Sequence, residues 1–314
     1  MTRITNGSFV GRPQRQRQAT MHETHRNTEG DGARLQRRRA SPIDTLSDPL
    51  RDAAGRRHRP ATAPVRIVSL VPSLTELLFD LDLGECVVGR TSYCVHPRER
   101  VRRVARVGGT KTIDLTRIVA LAPTHVVVNI DETPRDVAET LTARGCNVIV
   151  THPVDIDDNL ALYRLFGGLF GREAAAIRLE RRFVAARDAL IAAATPLPWR
   201  RVLYLIWKTP WMTVGSATYI SRMMQAAHWR TMPDLAEPRY PTIALTADLL
   251  DTVDLVLFAS EPFPFKPRHI ADFCQAFPEH AAKAMAIDGQ MISWYGSRAI
   301  AGLDYLRTLT TSTT

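Results

Sequence analysis

The side chains of this sequence that could do chemistry are aromatic and polar residues that follow short apolar runs. Such β-branched runs are typical of strands buried on both faces of a parallel sheet. Open α/β sheets bind ligands at the carboxyl ends of their strands, so residues at these positions are candidates for a binding site. The candidates are Tyr93, Asp131, Trp207, Trp211, Phe263, Phe265, Trp294, Tyr295 and Arg298.

Most of these candidates also have a structural interpretation. Trp207 directly ends an apolar strand, so core packing fits it as well as ligand contact does. Trp211 follows a proline in a turn and is the better candidate for contact with a ligand. Phe263 and Phe265 alternate with prolines that stiffen an exposed loop, which favours a binding wall over core. Asp131 fits a solvated loop as well as a contact to ligand amides.

The segment from Trp294 to Arg298 is the strongest binding candidate. Gly296 allows the backbone to approach a ligand closely, and Ser297 can cap the helix that follows. The guanidinium of Arg298 can reach a phosphate or an amide carbonyl. The alternative for this segment is a structural turn.

Catalytic and metal-binding patterns are missing from the sequence. There is no G-x-G-x-x-G, no P-loop lysine motif, no G-x-S-x-G and no convincing acid–base pair, so the sequence predicts a binding protein that is not an enzyme. His96 and His152 each precede a proline, which favours turns over metal ligation. The cysteines are scattered without a C-x-x-C, which predicts reduced thiols rather than disulfides or a zinc site; they are Cys86, Cys94, Cys146 and Cys274.

The elements that must position these residues alternate between strands and helices. The run 67–71 ends at a proline and predicts a strand that feeds a helix, with Ser73 and Glu76 as a capping box. Residues 172–194 hold no Gly or Pro and predict one long amphipathic helix. Further strands are predicted at 87–93, 125–130, 147–151, 201–207, 255–260 and 284–287. The predicted fold class is α/β, with two Rossmann-like lobes of parallel strands joined by one long backbone helix.

The predicted domains are a tail at 1–63, an N-terminal lobe at 64–170, a connecting helix at 171–196 and a C-terminal lobe at 197–314. Residues 1–63 hold thirteen Arg, no Lys and six acidic residues, and they have almost no apolar periodicity. This composition predicts a disordered, solvated tail. A nucleic-acid-binding arm is the less favoured interpretation, because the charges are not interleaved with aromatic residues. Since no apolar signal region and no bilayer-spanning stretch is visible, the sequence as written predicts a cytoplasmic protein.

Four stretches make the chain resemble the class III substrate-binding proteins, the helical-backbone receptors for cobalamin, siderophores and haem. They are IVSLVPSLTELL at 67–78, VGRTSYCVHP at 88–97, VGGTK at 107–111 with DLTRIVALAP at 114–123, and ISWYGSR at 292–298. Within that family the chain is most similar to the cobalamin-binding branch. Tyr93 resembles a tyrosine that contacts the ligand in members of that branch. The resemblance implies a monomer that binds cobalamin or another metal chelate between its lobes, with no prosthetic group. An enzyme or a cytosolic sensor acting on a corrinoid-like ligand is the alternative.

The resemblance also implies a periplasmic location, if the translation start is misassigned, and an ABC permease as a partner. Periplasmic members carry an acidic residue on each lobe that pairs with arginines of the permease. The matching positions here are Thr116 and Thr218, although Asp114 could substitute for the first acid. The chain is therefore expected to bind its ligand without docking to a permease.

Overall fold

The N-terminal lobe is built on a five-stranded parallel sheet. The computed structural model describes residues 50–312, so most of the predicted tail lies outside the described residues. The strands are β1 (Ile67–Ser69), β2 (Val87–Arg90), β3 (Ala105–Arg106), β4 (His125–Asn129) and β5 (Asn147–Thr151), in the order β3-β2-β1-β4-β5. Val126 pairs with Val148 in the centre of the β4–β5 ladder, and both side chains are buried. This apolar, β-branched composition explains why helices cover both faces of the sheet.

The helices of this lobe connect successive strands. They are α1 (Pro72–Asp80), α2 (Arg98–Val101), α3 (Leu115–Ala120), α4 (Arg135–Ala143) and α5 (Asp158–Phe170), with a 3-10 turn at Gly84–Cys86. The predicted capping box on α1 is wrong. Val71 is the N-cap and makes no side-chain capping bond, while Pro72 occupies the first turn, where its missing N–H costs nothing. Glu76 is therefore free to bond elsewhere, and it pairs with Arg298.

Helix α6 (Glu173–Ala194) connects the two lobes. Gly171 precedes it in the left-handed conformation, with φ of 64°, which ends α5. At 1.5 Å per residue, its 22 residues span about 33 Å. Phe183 and Leu190 are fully buried, so one face of this helix belongs to the main hydrophobic core.

The C-terminal lobe repeats the same plan with four parallel strands. They are β6 (Arg200–Leu205), β7 (Trp229–Thr231), β8 (Leu255–Ala259) and β9 (Ala284–Ile287), in the order β7-β6-β8-β9. Its helices are α7 (Tyr219–Ala226), α8 (Ala247–Asp251), α9 (Pro267–Ala276), α10 (Gly289–Ser293) and α11 (Arg298–Ser312), with a 3-10 segment at Pro278–Lys283. The predicted fold class, two parallel-sheet α/β lobes joined by a long helix, is confirmed.

The range 1–63 predicted for the tail is too long, because residues 50–62 pack against the N-terminal lobe. The backbone N–H of Ala53 donates to the carbonyl of Val150 on the edge strand β5. The side chains of Asp52 and His58 are both fully buried and pair at 2.9 Å. His58 also bonds to the Asn147 side chain through its other ring nitrogen. The Asp52–His58 pair and the edge strand satisfy each other's polar groups, which allows a segment without apolar periodicity to be ordered.

No helix within residues 50–312 is both long enough and apolar enough to cross a membrane.

Candidate ligand-binding cleft

The two lobes meet at the carboxyl ends of their sheets. Glu132 follows β4, and its carboxylate accepts a bond from the Tyr295 hydroxyl, which follows α10. The His96 ring, beyond β2, is 3.2 Å from the Gln290 side chain, which lies beyond β9. The loops at the two carboxyl edges therefore face each other across a cleft, which is where ligands of parallel α/β sheets bind.

The first inter-lobe bridge is centred on Arg239. Its Nη1 donates to Asp131 Oδ1 at 2.6 Å and lies 2.9 Å from His152 Nε2. Lys111 donates to the backbone carbonyl of Asp131. The carboxylate of Asp131, a predicted ligand contact, is therefore held by an arginine of the opposite lobe. Sequence reasoning missed Arg239, because no strand or helix pattern covers the loop between β7 and α8.

A second inter-lobe bridge joins Tyr295 to Glu132. The Tyr295 hydroxyl donates to Glu132 Oε1 at 2.6 Å, and the Tyr295 ring lies edge-on to Tyr219 at 5.8 Å. Burial raises the pKa of Glu132 to about 7, although the Tyr295 hydrogen bond opposes this shift. Burial also raises the pKa of Tyr295 well above its ordinary value. Tyr295 thus serves to hold the lobes together, and Glu132 is a titratable group in the cleft.

Trp294 is buried between the lobes rather than open to the cleft. Its indole N–H donates to Glu261 Oε1, which also accepts a bond from Ser293. The His96 ring packs edge-on against the indole at 5.7 Å. Burial raises the pKa of Glu261, and its bonds from Trp294 and Ser293 oppose the shift. The charge of Glu261 also raises the pKa of Glu132, so the cleft carries two acids whose pKa values are raised.

Arg298 is engaged by Glu76. Its Nε and Nη2 donate to the two carboxylate oxygens at 2.7 and 2.6 Å, a bidentate pair that joins α11 to α1. Gly296, with φ of 80°, donates its N–H to Asn159 Oδ1 at 2.6 Å. The Ser297 hydroxyl is buried without a hydrogen-bond partner, so it does not form the expected helix cap. The segment from Trp294 to Arg298 therefore has the contacts of a structural turn between the lobes.

The C-terminal lobe presents a cluster of aromatic rings at its carboxyl edge. Trp207 is 41% exposed, and its ring centroid is 5.6 Å from that of Phe263. Phe265 lies 4.7 Å from Phe263 and is parallel to Trp211 at 6.0 Å. Phe265 also reaches the buried Phe258, so the cluster is anchored in the core. Trp207 has the largest exposed fraction among the aromatic candidates of this lobe.

Tyr93 is the exposed aromatic residue of the opposite lobe. It follows β2, and 62% of it is exposed to solvent. Its ring lies beside Gly109, where an added Cβ would stand 3.4 Å from the ring. Tyr93 and Trp207 are thus candidate residues with open ring surface, one at the carboxyl edge of each sheet.

No group of three or more His, Cys, Asp or Glu side chains among the described residues could hold a metal ion. His96 and His152 are instead used in the contacts between the lobes.

Thr116 and Thr218, the two positions that the resemblance matches to acidic residues, differ in their environment. Thr116 is exposed on α3, whose N-cap Asp114 accepts a bond from the Arg117 N–H and pairs with its side chain at 3.1 Å. Thr218 is fully buried, and its side chain caps α7. Neither threonine supplies a surface carboxylate.

Comparison with known proteins identifies the family. A model of the family described as "Periplasmic binding protein" matches residues 67–237, more than half of the chain. The chain belongs to the periplasmic binding protein family. The resemblance found in the sequence is therefore confirmed. The family description supports the periplasmic location over the cytoplasmic one.

Relatives in this family carry the names of chelate-binding proteins. The chain is 32% identical over 110 residues to a vitamin B12-binding protein of Yersinia pestis strain Pestoides F, which covers 33% of this chain. The chain spans 39% of the length of that relative. The periplasmic vitamin B12-binding protein BtuF of Vibrio cholerae superposes with a TM-score of 0.69 and 16% identity, over 79% of this chain and 96% of that one. The periplasmic haem-binding protein RhuT from Roseiflexus superposes with a TM-score of 0.68 and 20% sequence identity, over 79% of this chain and 98% of that one. These structures share the fold.

Proposed function

We propose that this protein binds a large metal chelate, with cobalamin as the first candidate, in the cleft between its lobes, and that it does not change the ligand chemically. The observation that carries this proposal is the pair of open aromatic surfaces at the facing carboxyl edges, Tyr93 on one lobe and Trp207 on the other. Aromatic rings on two sides suit the broad apolar faces of a corrin or porphyrin.

The polar groups of the cleft support the same ligand class. Glu132 and Glu261 lie at its base, and the pKa of each is raised by burial. The carboxyl of Glu132, whose pKa is raised to about 7, can both donate and accept hydrogen bonds in its protonated form, which matches the side-chain amides of cobalamin. The names of the relatives, for vitamin B12 and for haem, support a tetrapyrrole-like chelate over an enzyme substrate or a sensor ligand.

Docking to a permease through a surface acid on each lobe is not part of this proposal. Thr116 carries no charge, and Thr218 is a buried helix cap.

Tryptophan fluorescence tests the proposal directly. Five tryptophans are present, and Trp207, Trp211 and Trp294 lie on loops at the carboxyl edge. Cyanocobalamin, haemin and a ferric siderophore are titrated separately. We expect saturable quenching by cyanocobalamin, with a weaker response to the other two. Saturable binding of none of the three chelates would contradict the proposal.

Single substitutions locate the site. Tyr93→Ala and Trp207→Ala are each expected to weaken chelate binding about tenfold, because each removes an aromatic surface worth about 1.4 kcal/mol. Trp199→Ala is the matched control. Trp199 is 50% exposed, but it precedes β6 and stacks on His228 at the amino end of the same strand. If the three substitutions weaken chelate binding equally, the ligand does not bind specifically at Tyr93 and Trp207.

A further inference from the structure

A cavity of about 400 Å³ lies at one side of the cleft, between the end of β2, helix α2 and strand β3. Four arginines line it: Arg90, Arg98, Arg102 and Arg106. The aromatic candidates Tyr93 and Trp207 do not line it, so it is distinct from the aromatic surfaces of the proposed chelate site.

Arg90 is built into the wall of this cavity. It is only 3% exposed, and its guanidinium is oriented by two bonds, from Nε to the Val101 carbonyl at 2.8 Å and from Nη1 to the Thr91 carbonyl at 3.0 Å. Burial lowers the pKa of Arg90, the interaction with Cys94 opposes this shift, and the positive charge of Arg106 adds to it. A buried cation whose side-chain bonds go only to neutral carbonyls leaves its charge uncompensated.

No acidic side chain within the described lining offsets this charge. Arg102 pairs with Glu99 at 3.7 Å, but both side chains are largely exposed, and such surface pairs contribute little. Arg98 and Arg106 are exposed at the mouth of the cavity. Guanidinium groups in this arrangement are suited to carboxylate or phosphate oxygens, which they bind with paired hydrogen bonds.

The cavity lies where the two lobes meet. Its lining includes His96 and also Gln290, which belongs to the opposite lobe and is 3.2 Å from the His96 ring. His96 in turn contacts Trp294 between the lobes. An anionic group bound in the cavity would therefore touch both lobes, beside a ligand in the cleft.

The geometry points to a binding site for an anionic oxygen group, a phosphate or a carboxylate, held by Arg90, Arg98 and Arg106. The group is either a free small anion or an anionic arm of the chelate in the cleft. Only the second source rests on the proposed function.

The first experiment titrates inorganic phosphate and succinate into the full-length protein by calorimetry at low ionic strength. The test variant is R98Q/R106Q, which leaves the buried Arg90 in place, and the control is R178Q on the exposed surface of α6. We expect saturable binding of at least one anion, at least about tenfold weaker in R98Q/R106Q and unchanged in R178Q. Circular dichroism and the thermal midpoint confirm that each variant is folded.

The second experiment distinguishes the two sources. Dicyanocobinamide lacks the nucleotide arm of cyanocobalamin, including its phosphodiester, so the dependence of their affinity ratio on the arginines reports on that anionic group. A ratio that falls in R98Q/R106Q but not in R178Q supports the site and identifies the chelate arm as its occupant. A constant ratio together with variant-dependent phosphate or succinate binding supports the site with a free anion.

The inference is overturned if neither anion binding nor the affinity ratio depends on Arg98 and Arg106. If no chelate binds any variant while the dependence of anion binding on these arginines persists, the proposed function fails and the anion site stands.

Discussion

Glu132 is the titratable side chain on which the chemistry of the cleft depends most directly. It is held by the Tyr295 hydroxyl of the opposite lobe, and its pKa is raised to about 7 by burial. Glu261 is close enough to add to the shift and is itself bonded to Trp294. Glu132 is therefore only partly ionised near neutral pH, whereas the cavity beside the cleft is lined by four arginines.

Glu132→Gln is expected to change how stability depends on pH. Between about pH 4.5 and 7 the unfolded carboxyl is ionised while the folded one keeps its proton, so the folded state binds more protons and stability falls as pH rises. Relative to Glu132→Gln, the parent should lose up to about 1.4 kcal/mol per pH unit across this window, with no further loss above pH 7. Urea unfolding between pH 4.5 and 8 measures the difference.

Glu139→Gln serves as the control for this experiment, because Glu139 is exposed on α4. The difference in the free energy of unfolding between Glu139→Gln and the parent should stay constant over the same pH range. A flat difference for Glu132→Gln as well would show that Glu132 ionises at its ordinary pKa in the folded protein.

Among the elements, the segment 50–62 departs most from its prediction. Its polar composition predicts a tail, yet Asp52 accepts bonds from the N–H groups of Ala54, Arg56 and Val150 as well as pairing with His58. These bonds, with the other contacts, lower the pKa of Asp52 despite its burial. The order of this segment depends on an edge strand about one hundred residues away, and local periodicity carries no information about that strand.

Asp52→Ala is expected to destabilise the N-terminal lobe by about 3 kcal/mol, because it leaves His58 and several N–H groups without their buried partner. Because the folded pKa of Asp52 lies below 3.8, its contribution is present above that pH and is lost in more acidic solution. Urea unfolding at pH 7 and at pH 3 measures both effects. The exposed neighbour Arg59→Ala should change stability by less than about 0.5 kcal/mol. An equally small effect of Asp52→Ala would mean that the packed segment adds nothing to stability.

The whole molecule is held by contacts that cross between the lobes as well as by α6. Tyr163 on α5 donates to the Gly296 carbonyl, and Asn159 bonds to both Tyr219 and Gly296. The Glu76–Arg298 pair ties α1 to α11. A stiff helix with these buried links restricts the φ and ψ changes that a hinge requires.

Small-angle scattering should therefore show little closure when the proposed chelate binds. The radius of gyration is expected to change by less than about 1 Å, as in pre-organised binding proteins. The measurement compares the protein alone with the protein saturated with cyanocobalamin. A change of several ångströms would show that the lobes move as hinged bodies despite these links.

Local patterns predicted seven of the nine strands within residues 50–312, the parallel lobes and α6, because apolar runs, prolines and a long stretch without Gly or Pro are signals that a short window of sequence contains. The short strands β3 and β7 were missed, and Trp294 and Tyr295 follow helix α10 rather than the last strand. The partners of the candidate residues came from packing. Arg298 meets Glu76 across 222 residues of sequence, and Tyr295 meets Glu132 across 163. No local pattern contains such pairings, since they arise only when the two lobes pack against each other.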